Sequence, residues 1–168
     1  GSARTQWNAS MKHQRTPPQT DQAFNATSLF GVQREHTYSG ALSFLRRRYT
    51  RDMTGVDIAV VGVPYDLAVT NRPGTRFGPA GIRAASAQLC GLPPWPWGFD
   101  ATKRLAVVDY GDFNFDYGEP QHIPGQITDQ ARALLEQGVS LLAMGGDHFV
   151  SLPLLRAYAE KHGPLALV

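Results

Sequence analysis

Residues 57–63, Asp57-Ile58-Ala59-Val60-Val61-Gly62-Val63, form a continuous apolar run that ends at Pro64. A run of this length, without alternation of apolar and polar residues, is typical of a parallel strand covered on both faces. Residues 105–109 and 139–144 repeat the pattern, and residues 165–168 start a fourth run after Gly163-Pro164. The sequence therefore predicts four strands of this kind.

Helical patterns separate these runs. One opens at residues 78–85 with Pro79 in its first turn, a second has apolar residues at helical spacing over 127–135, and a third begins near Ser151. Alternating strands and helices predict an α/β fold, with a mostly parallel sheet and helices on both faces. No element follows the fourth strand to cover it. We therefore expect a sheet truncated after that strand, and a 168-residue chain that is unstable alone or oligomerises through its open edge.

Composition limits the class of protein. The chain has 168 residues, 42% hydrophobic and 18% charged, with a formal net charge of +2, which is ordinary for one globular domain. Residues 1–40 are predicted to form an extended N-terminal arm, and residues 41–168 to belong to a single α/β domain. No apolar run approaches the about 18 residues of a membrane helix, so no membrane partner is expected. Cys90 is the only cysteine, which excludes an internal disulfide and favours a cytoplasmic location.

Two surface features remain open. The cluster Arg46-Arg47-Arg48 has the charge to touch nucleic acid, but no stacking motif or groove-reading helix accompanies it. We therefore expect no nucleic-acid partner, and a solvated face or a subunit contact instead. Residues 91–98 form a rigid loop rich in Pro and Trp. It could be a binding surface, the cover of a sheet edge or a subunit contact.

Candidate site residues follow the predicted strands. Ligands collect beyond the carboxyl ends of parallel strands, and three segments reach that edge: Val63-Pro64-Tyr65-Asp66, Asp109-Tyr110-Gly111-Asp112 and Gly145-Gly146-Asp147-His148. The His148 imidazole is a suitable ligand for a divalent transition metal, and Asp147 could orient it. A purely structural role for His148 is the alternative.

The Gly- and Pro-containing loop 71–79 leads into a predicted helix N-terminus. Such an end can hold an anion, but the loop lacks the glycine patterns of phosphate and dinucleotide sites. A structural loop in which Arg76 forms a salt bridge is the alternative interpretation.

Four motifs in register resemble the arginase–agmatinase family over residues 40–168. They are Gly62-Val63-Pro64-Tyr65-Asp66, Arg72-Pro73-Gly74-Thr75-Arg76-Phe77-Gly78-Pro79, Asp109-Tyr110-Gly111-Asp112 and Gly145-Gly146-Asp147-His148. The stretches 96–109 and 151–156 are similar to bacterial agmatinases in particular. The resemblance implies an arginase-like three-layer α/β/α fold.

The same resemblance implies an activity. Agmatine and water would give putrescine and urea, through a hydroxide that bridges two Mn²⁺ ions. His148 would bind one ion. The other ligands would come from Asp-Ala-His-x-Asp and Asp-x-Asp motifs absent from this chain, so the catalytic residues are expected beyond Val168 and the 168-residue chain alone is expected to be inactive. The family also implies a homo-oligomer, a trimer or a hexamer.

Three hypotheses remain. The first is a ureohydrolase for agmatine or another small guanidino substrate, such as guanidinobutyrate. The second is a catalytically inactive fragment that serves as a structural or interaction piece. The third is an unrelated nucleotide- or sugar-binding module, which would need a glycine-rich phosphate loop that is not present.

Overall fold

A computed structural model describes residues 22–25, 28–31, 36 and 38–168. Three parallel strands, β1 (Ile58–Val63), β2 (Val107–Asp112) and β3 (Ser140–Gly145), form a sheet in the order β2-β1-β3. The α-helices of this described part are α1 (Gln22–Asn25), α2 (Gly78–Ser86), α3 (Ile123–Glu136) and α4 (Ser151–His162). Short 3-10 turns lie at Phe44–Arg46, Thr75–Phe77, Ala101–Lys103, Pro120–His122 and His148–Val150. The predicted parallel α/β fold is confirmed.

Strand β1 lies at the centre of the sheet and is buried on both faces. Val61 and its neighbours on one face pack against α3 and α4, in a cluster that includes Ile127, Leu134 and Ala157. On the opposite face, Val60 packs with Val107 and with Met144. Because both faces carry core, the strand has no polar side, which accounts for the uninterrupted apolar run that predicted it.

Helix α2 covers the second face at unusually short range. A Cβ on Gly62 would lie 1.8 Å from Oδ1 of Asp112 and 2.9 Å from Cβ of Pro79. A Cβ on Gly78 would lie 2.5 Å from the carbonyl oxygen of Gly145. These two glycines therefore let the first turn of α2 lie directly on β1 and on the end of β3, and helices cover both faces as predicted.

The predicted fourth strand is wrong. Residues 165–168 have no strand assignment, and Leu165, Leu167 and Val168 are exposed. A four-residue segment forms few ladder hydrogen bonds to offset the entropy lost when it is ordered, and an apolar composition alone does not supply them. No helix in the described ranges has the length and apolar character needed to cross a membrane.

The predicted arm, residues 1–40, falls mostly outside the described residues. Its described pieces contact the domain: the Tyr49 N–H donates to the carbonyl of Ala23 (2.7 Å), and the Gly31 N–H donates to that of Thr102 (3.1 Å). Ala23 is buried. The domain boundary at residue 40 stays a prediction.

Two of the three clustered arginines are buried, so the expected solvated face is wrong for them. Arg46 donates from Nε and both terminal nitrogens to the carbonyls of Ala87, Ser39 and His36. Arg47 does the same to the carbonyls of Val107, Gly31 and Leu29. Burial lowers the pKa of Arg47, although Asp100 and Cys90 act in the opposite direction. These guanidinium groups are internal cross-links between main-chain segments.

A buried ion pair joins α2 to β2 across β1. Arg83 donates from Nε and one terminal nitrogen to the two carboxylate oxygens of Asp109 (2.8 and 3.1 Å), and from the other to Asp112 (2.7 Å). The backbone N–H groups of Phe44 and Gly111 also donate to Asp109 (2.7 and 2.9 Å). Burial acts to lower the pKa of Arg83, but the bonds to both aspartates outweigh it and the pKa is raised.

Replacing Arg83 by methionine should destabilise the fold strongly, because Asp109 would keep a buried charge without its cation. We expect a loss of about 3–5 kcal/mol in the free energy of unfolding, measured by urea titration. Arg83→Met combined with Asp109→Asn should recover part of this loss, since no buried charge remains.

The matched control is Arg132→Met. Arg132 also pairs with two carboxylates, of Asp129 and Glu160, but all three side chains are at least 40% exposed, so its loss should change stability little. If Arg83→Met and Arg132→Met unfold at the same urea concentration, the proposed importance of the buried pair is contradicted.

Candidate functional site

The loops that follow the three strands meet at the carboxyl edge of the sheet. Strand β3 ends at Gly145, and His148 begins the 3-10 turn His148–Val150 three residues later. The predicted position of His148, just beyond the carboxyl end of the third strand, is confirmed. The residue is exposed at this edge.

The loop after β3 lies directly on the loop after β1. Gly146 has a φ of +48°, and a Cβ there would lie 2.5 Å from the carbonyl oxygens of both Val63 and Tyr65. The Asp147 N–H donates to the carbonyl of Tyr65 (2.8 Å). Only glycine allows both this φ and this approach, so Gly146 sets where the turn that carries His148 begins.

The Asp147 carboxylate binds backbone groups of both loops. Its Oδ1 accepts from the N–H of Phe149 (3.0 Å) and its Oδ2 from the N–H of Ala68 (2.8 Å). Asp147 thus caps the turn that contains His148 and ties it to the loop after β1. An orienting role for Asp147 stays a prediction. These bonds would orient His148 by fixing the main chain of its turn, without contact to the imidazole.

Aromatic side chains from all three strand-end loops pack together beneath the edge. The ring of Tyr65 lies 6.3 Å from that of Phe115 and 5.7 Å from that of Phe149, between centroids. Burial, and secondly the charge of Asp147, raises the pKa of Tyr65. Phe115 and Phe149 belong to no motif. Their only sequence signal is that an aromatic residue follows shortly after β2 and after β3.

Asp66 and Arg76 close the loop between β1 and α2. Arg76 donates from Nε to Oδ1 of Asp66 (2.8 Å) and contacts the same oxygen with a terminal nitrogen at 2.6 Å. The Gly74 N–H donates to Oδ2 (2.8 Å). Arg76 also lies 4.8 Å above the ring of Tyr117, whose hydroxyl donates to the carbonyl of Pro64. The predicted salt bridge of Arg76 is confirmed, and an anion at the helix N-terminus stays a prediction.

The strand-end carboxylates are largely engaged by partners of their own. Asp109 and Asp112 bind Arg83, Asp66 binds Arg76, and Asp147 binds backbone. Within residues 38–168 and the shorter described pieces, no three His, Cys, Asp or Glu side chains are grouped so as to hold a metal ion. At this edge the described residues offer the exposed His148, on a frame held by charged pairs.

Fold and site together define a three-layer α/β protein with its candidate site at the carboxyl edge of a parallel sheet. The model of the arginase family matches residues 56–168. This chain is 54% identical over 149 residues to an agmatinase of Chromobacterium violaceum. The matched region covers 88% of this chain and 46% of that protein. The chain thus spans about half the length of that curated relative.

Solved structures agree with this match. The crystal structure of a hypothetical agmatinase from Burkholderia thailandensis has a TM-score of 0.83 and 51% identity, over 86% of this chain and 45% of that one. The crystal structure of a Trypanosoma cruzi formiminoglutamase with Mn²⁺ has a TM-score of 0.56 and 27% identity, over 67% of this chain and 38% of that one. The chain belongs to the arginase family.

The Asp66–Arg76 pair predicts a specific acid sensitivity. The hydrogen bond from Arg76, and secondly those from the Gly74 and Arg76 N–H groups, outweigh burial and lower the pKa of Asp66 from 3.8 to about 2. A carboxyl group whose pKa is lower in the folded state than in the unfolded state stabilises the fold fully at pH values above its unfolded pKa. This stabilisation is lost as the pH falls through the folded pKa. Between pH 4 and pH 2, stability should therefore decline more steeply in the wild type than in Asp66→Asn.

The measurement is the urea midpoint at each pH for the wild type and Asp66→Asn. Asp129→Asn is the control, because Asp129 also pairs with an arginine but is 69% exposed. If the urea midpoints of the wild type and Asp66→Asn fall equally between pH 4 and pH 2, Asp66 is not the group that titrates.

Proposed function

We propose that this chain is the N-terminal part of a ureohydrolase that converts agmatine and water to putrescine and urea. The observation that carries the proposal is the placement of His148, exposed on a turn just past β3, where the loops after all three strands converge. Membership of the arginase family and 54% identity to an agmatinase support the choice of reaction and substrate.

Manganese is the proposed cofactor, with two ions in the complete site. The imidazole of His148 fits as one ligand, because it is exposed at the strand edge and neutral imidazole binds divalent transition metals. The presence of Mn²⁺ in the related T. cruzi formiminoglutamase supports this choice. When bound, such ions polarise water and make it a nucleophile near neutral pH. The further ligands and the catalytic groups are proposed to come from outside the described residues.

The residues of this chain act by positioning. Gly146 lets the turn of His148 lie against β1, and Asp147 fixes that turn through the Phe149 and Ala68 N–H groups. A metal ligand held by several short bonds loses little freedom on binding, and displacements of about 1 Å at such sites are costly. We propose that Asp147 orients His148 in this way, without itself binding the ion.

The remaining functional expectations stay proposals. They are a small guanidino compound as substrate, no nucleic-acid or membrane partner, a cytoplasmic location and a homo-oligomer, a trimer or hexamer. A second substrate, such as guanidinobutyrate, is the runner-up, because a formiminoglutamase shares the fold and the fold therefore serves more than one substrate.

The test uses a protein that comprises this chain and the remaining length of its curated relatives. His148→Ala should deplete one of two manganese ions and reduce urea release from agmatine by orders of magnitude, on the order of the 10²–10³-fold seen when one preorganised group is lost. His148→Asn should retain slightly more activity, since its amide oxygen can still coordinate. Metal content per chain and urea release are the two readouts.

His162→Ala is the matched control. His162 ends α4, at the far end of the helix that His148 precedes, and its ring stacks on Tyr158 at 6.0 Å. It should keep full metal content and turnover. The 168-residue chain alone should release no urea. Wild-type manganese content and turnover in His148→Ala would refute the assignment of His148.

A further inference from the structure

Helix α2 and the loop after it expose a surface without charge. Between Phe77 and Phe99 the only charged residue is Arg83, and Arg83 is buried against Asp109. A surface helix of a soluble protein normally carries charged residues on its outward face. The outward face of α2 instead presents Ala80, Gly81, Ile82 and Ala85. We name the exposed side of residues 77–99 the α2 surface.

Large side chains stand out from this surface. Trp95 is 93% exposed, Phe77 70%, Trp97 63% and Leu92 61%. A fully buried aromatic side chain covers about 150–250 Å², so the three aromatics alone expose roughly 450 Å². The largest apolar patch of a typical monomer is about 300–600 Å² and is often functional.

We propose that the α2 surface is a two-fold contact between two copies of this chain. A stable interface needs about 800 Å² from each partner, and the exposed parts of the three aromatics, Ile82, Leu89 and Leu92 sum to most of that area. A two-fold contact places a surface against its own copy, so like charges would oppose each other. The α2 surface carries none. An acidic or basic partner would find no complementary charge on it.

The composition of the surface fits such a contact. Buried Trp residues are the most frequent energetic anchors of interfaces, surrounded by residues that exclude water. Pro93, Pro94 and Pro96 flank Trp95 and restrict the backbone of the loop, so little entropy is lost when Trp95 is buried. This inference deepens the homo-oligomer proposed above, by naming its surface, and does not depend on the substrate.

The first experiment is sedimentation velocity of the whole protein over a range of concentrations. Leu92→Asp and Trp95→Ser should each halve the mass of the complex, a hexamer becoming a trimer or a dimer a monomer. The concentration for half-dissociation should rise at least about tenfold, the equivalent of 1.4 kcal/mol. Trp95 touches little within one chain, so Trp95→Ser should fold normally even if Leu92→Asp does not.

Leu152→Asp is the matched control. Leu152 is 45% exposed on α4, which covers the opposite face of the sheet, and the change should leave the mass unaltered. A wild-type protein that is a monomer, or a trimer without a two-fold axis, would overturn the proposal. An oligomer unaffected by both α2-surface variants would overturn the choice of surface and leave the oligomer standing.

A photo-crosslinking amino acid at position 95 identifies the occupant directly. In a mixture of ¹⁴N- and ¹⁵N-labelled protein, the proposal requires crosslinks between differently labelled chains. Crosslinks confined to one chain, to residues 1–21 or to any other segment, would show that the protein covers this surface itself and would overturn the proposal.

Discussion

The contact between Arg83 and Asp109 determines where helix, sheet and N-terminal segment lie. Asp109 is fully buried in β2, and its carboxylate receives two bonds from Arg83 on α2 and one from the backbone N–H of Phe44. A buried carboxylate is costly unless it is paired and hydrogen-bonded. The fold therefore has to bring α2 and the segment before β1 to this single group. Once α2 is held there, Gly78 meets the end of β3 and the strand-end loops converge.

The same contact explains why the candidate site contains few free carboxylates. The aspartates at the ends of β1 and β2 neutralise arginines that hold loops and helices, and Asp147 binds backbone. What the described residues contribute is a rigid edge with the exposed His148. A carboxylate that is already paired with an arginine is a poor ligand for a cation.

The strands, the helices between them and the place of His148 were predictable, because burial on both faces of β1 leaves a plain apolar run and Gly145-Gly146 marks the end of β3. The motif around Arg76 does not show whether the residue forms a salt bridge, because its partner, Asp66, lies ten residues earlier and meets it only when the loop closes. The burial of Arg46 and Arg47 was not predictable. Three successive arginines look like a surface, and their carbonyl partners lie up to 60 residues away in sequence. The fourth strand failed because an apolar run does not specify a pairing partner.

The bonds of Arg46 and Arg47 have a consequence for how the sequence can vary. Both side chains hold the chain before β1 through carbonyl oxygens, and every amino acid carries a carbonyl. Residues such as His36 and Ser39 can therefore be exchanged for others without removing the acceptors that Arg46 uses. The two arginines have no such freedom, because lysine offers one nitrogen where the guanidinium offers three in a fixed plane. Mutational tolerance in this region should thus be strongly one-sided: broad on the segment that is held, and narrow at the two positions that hold it.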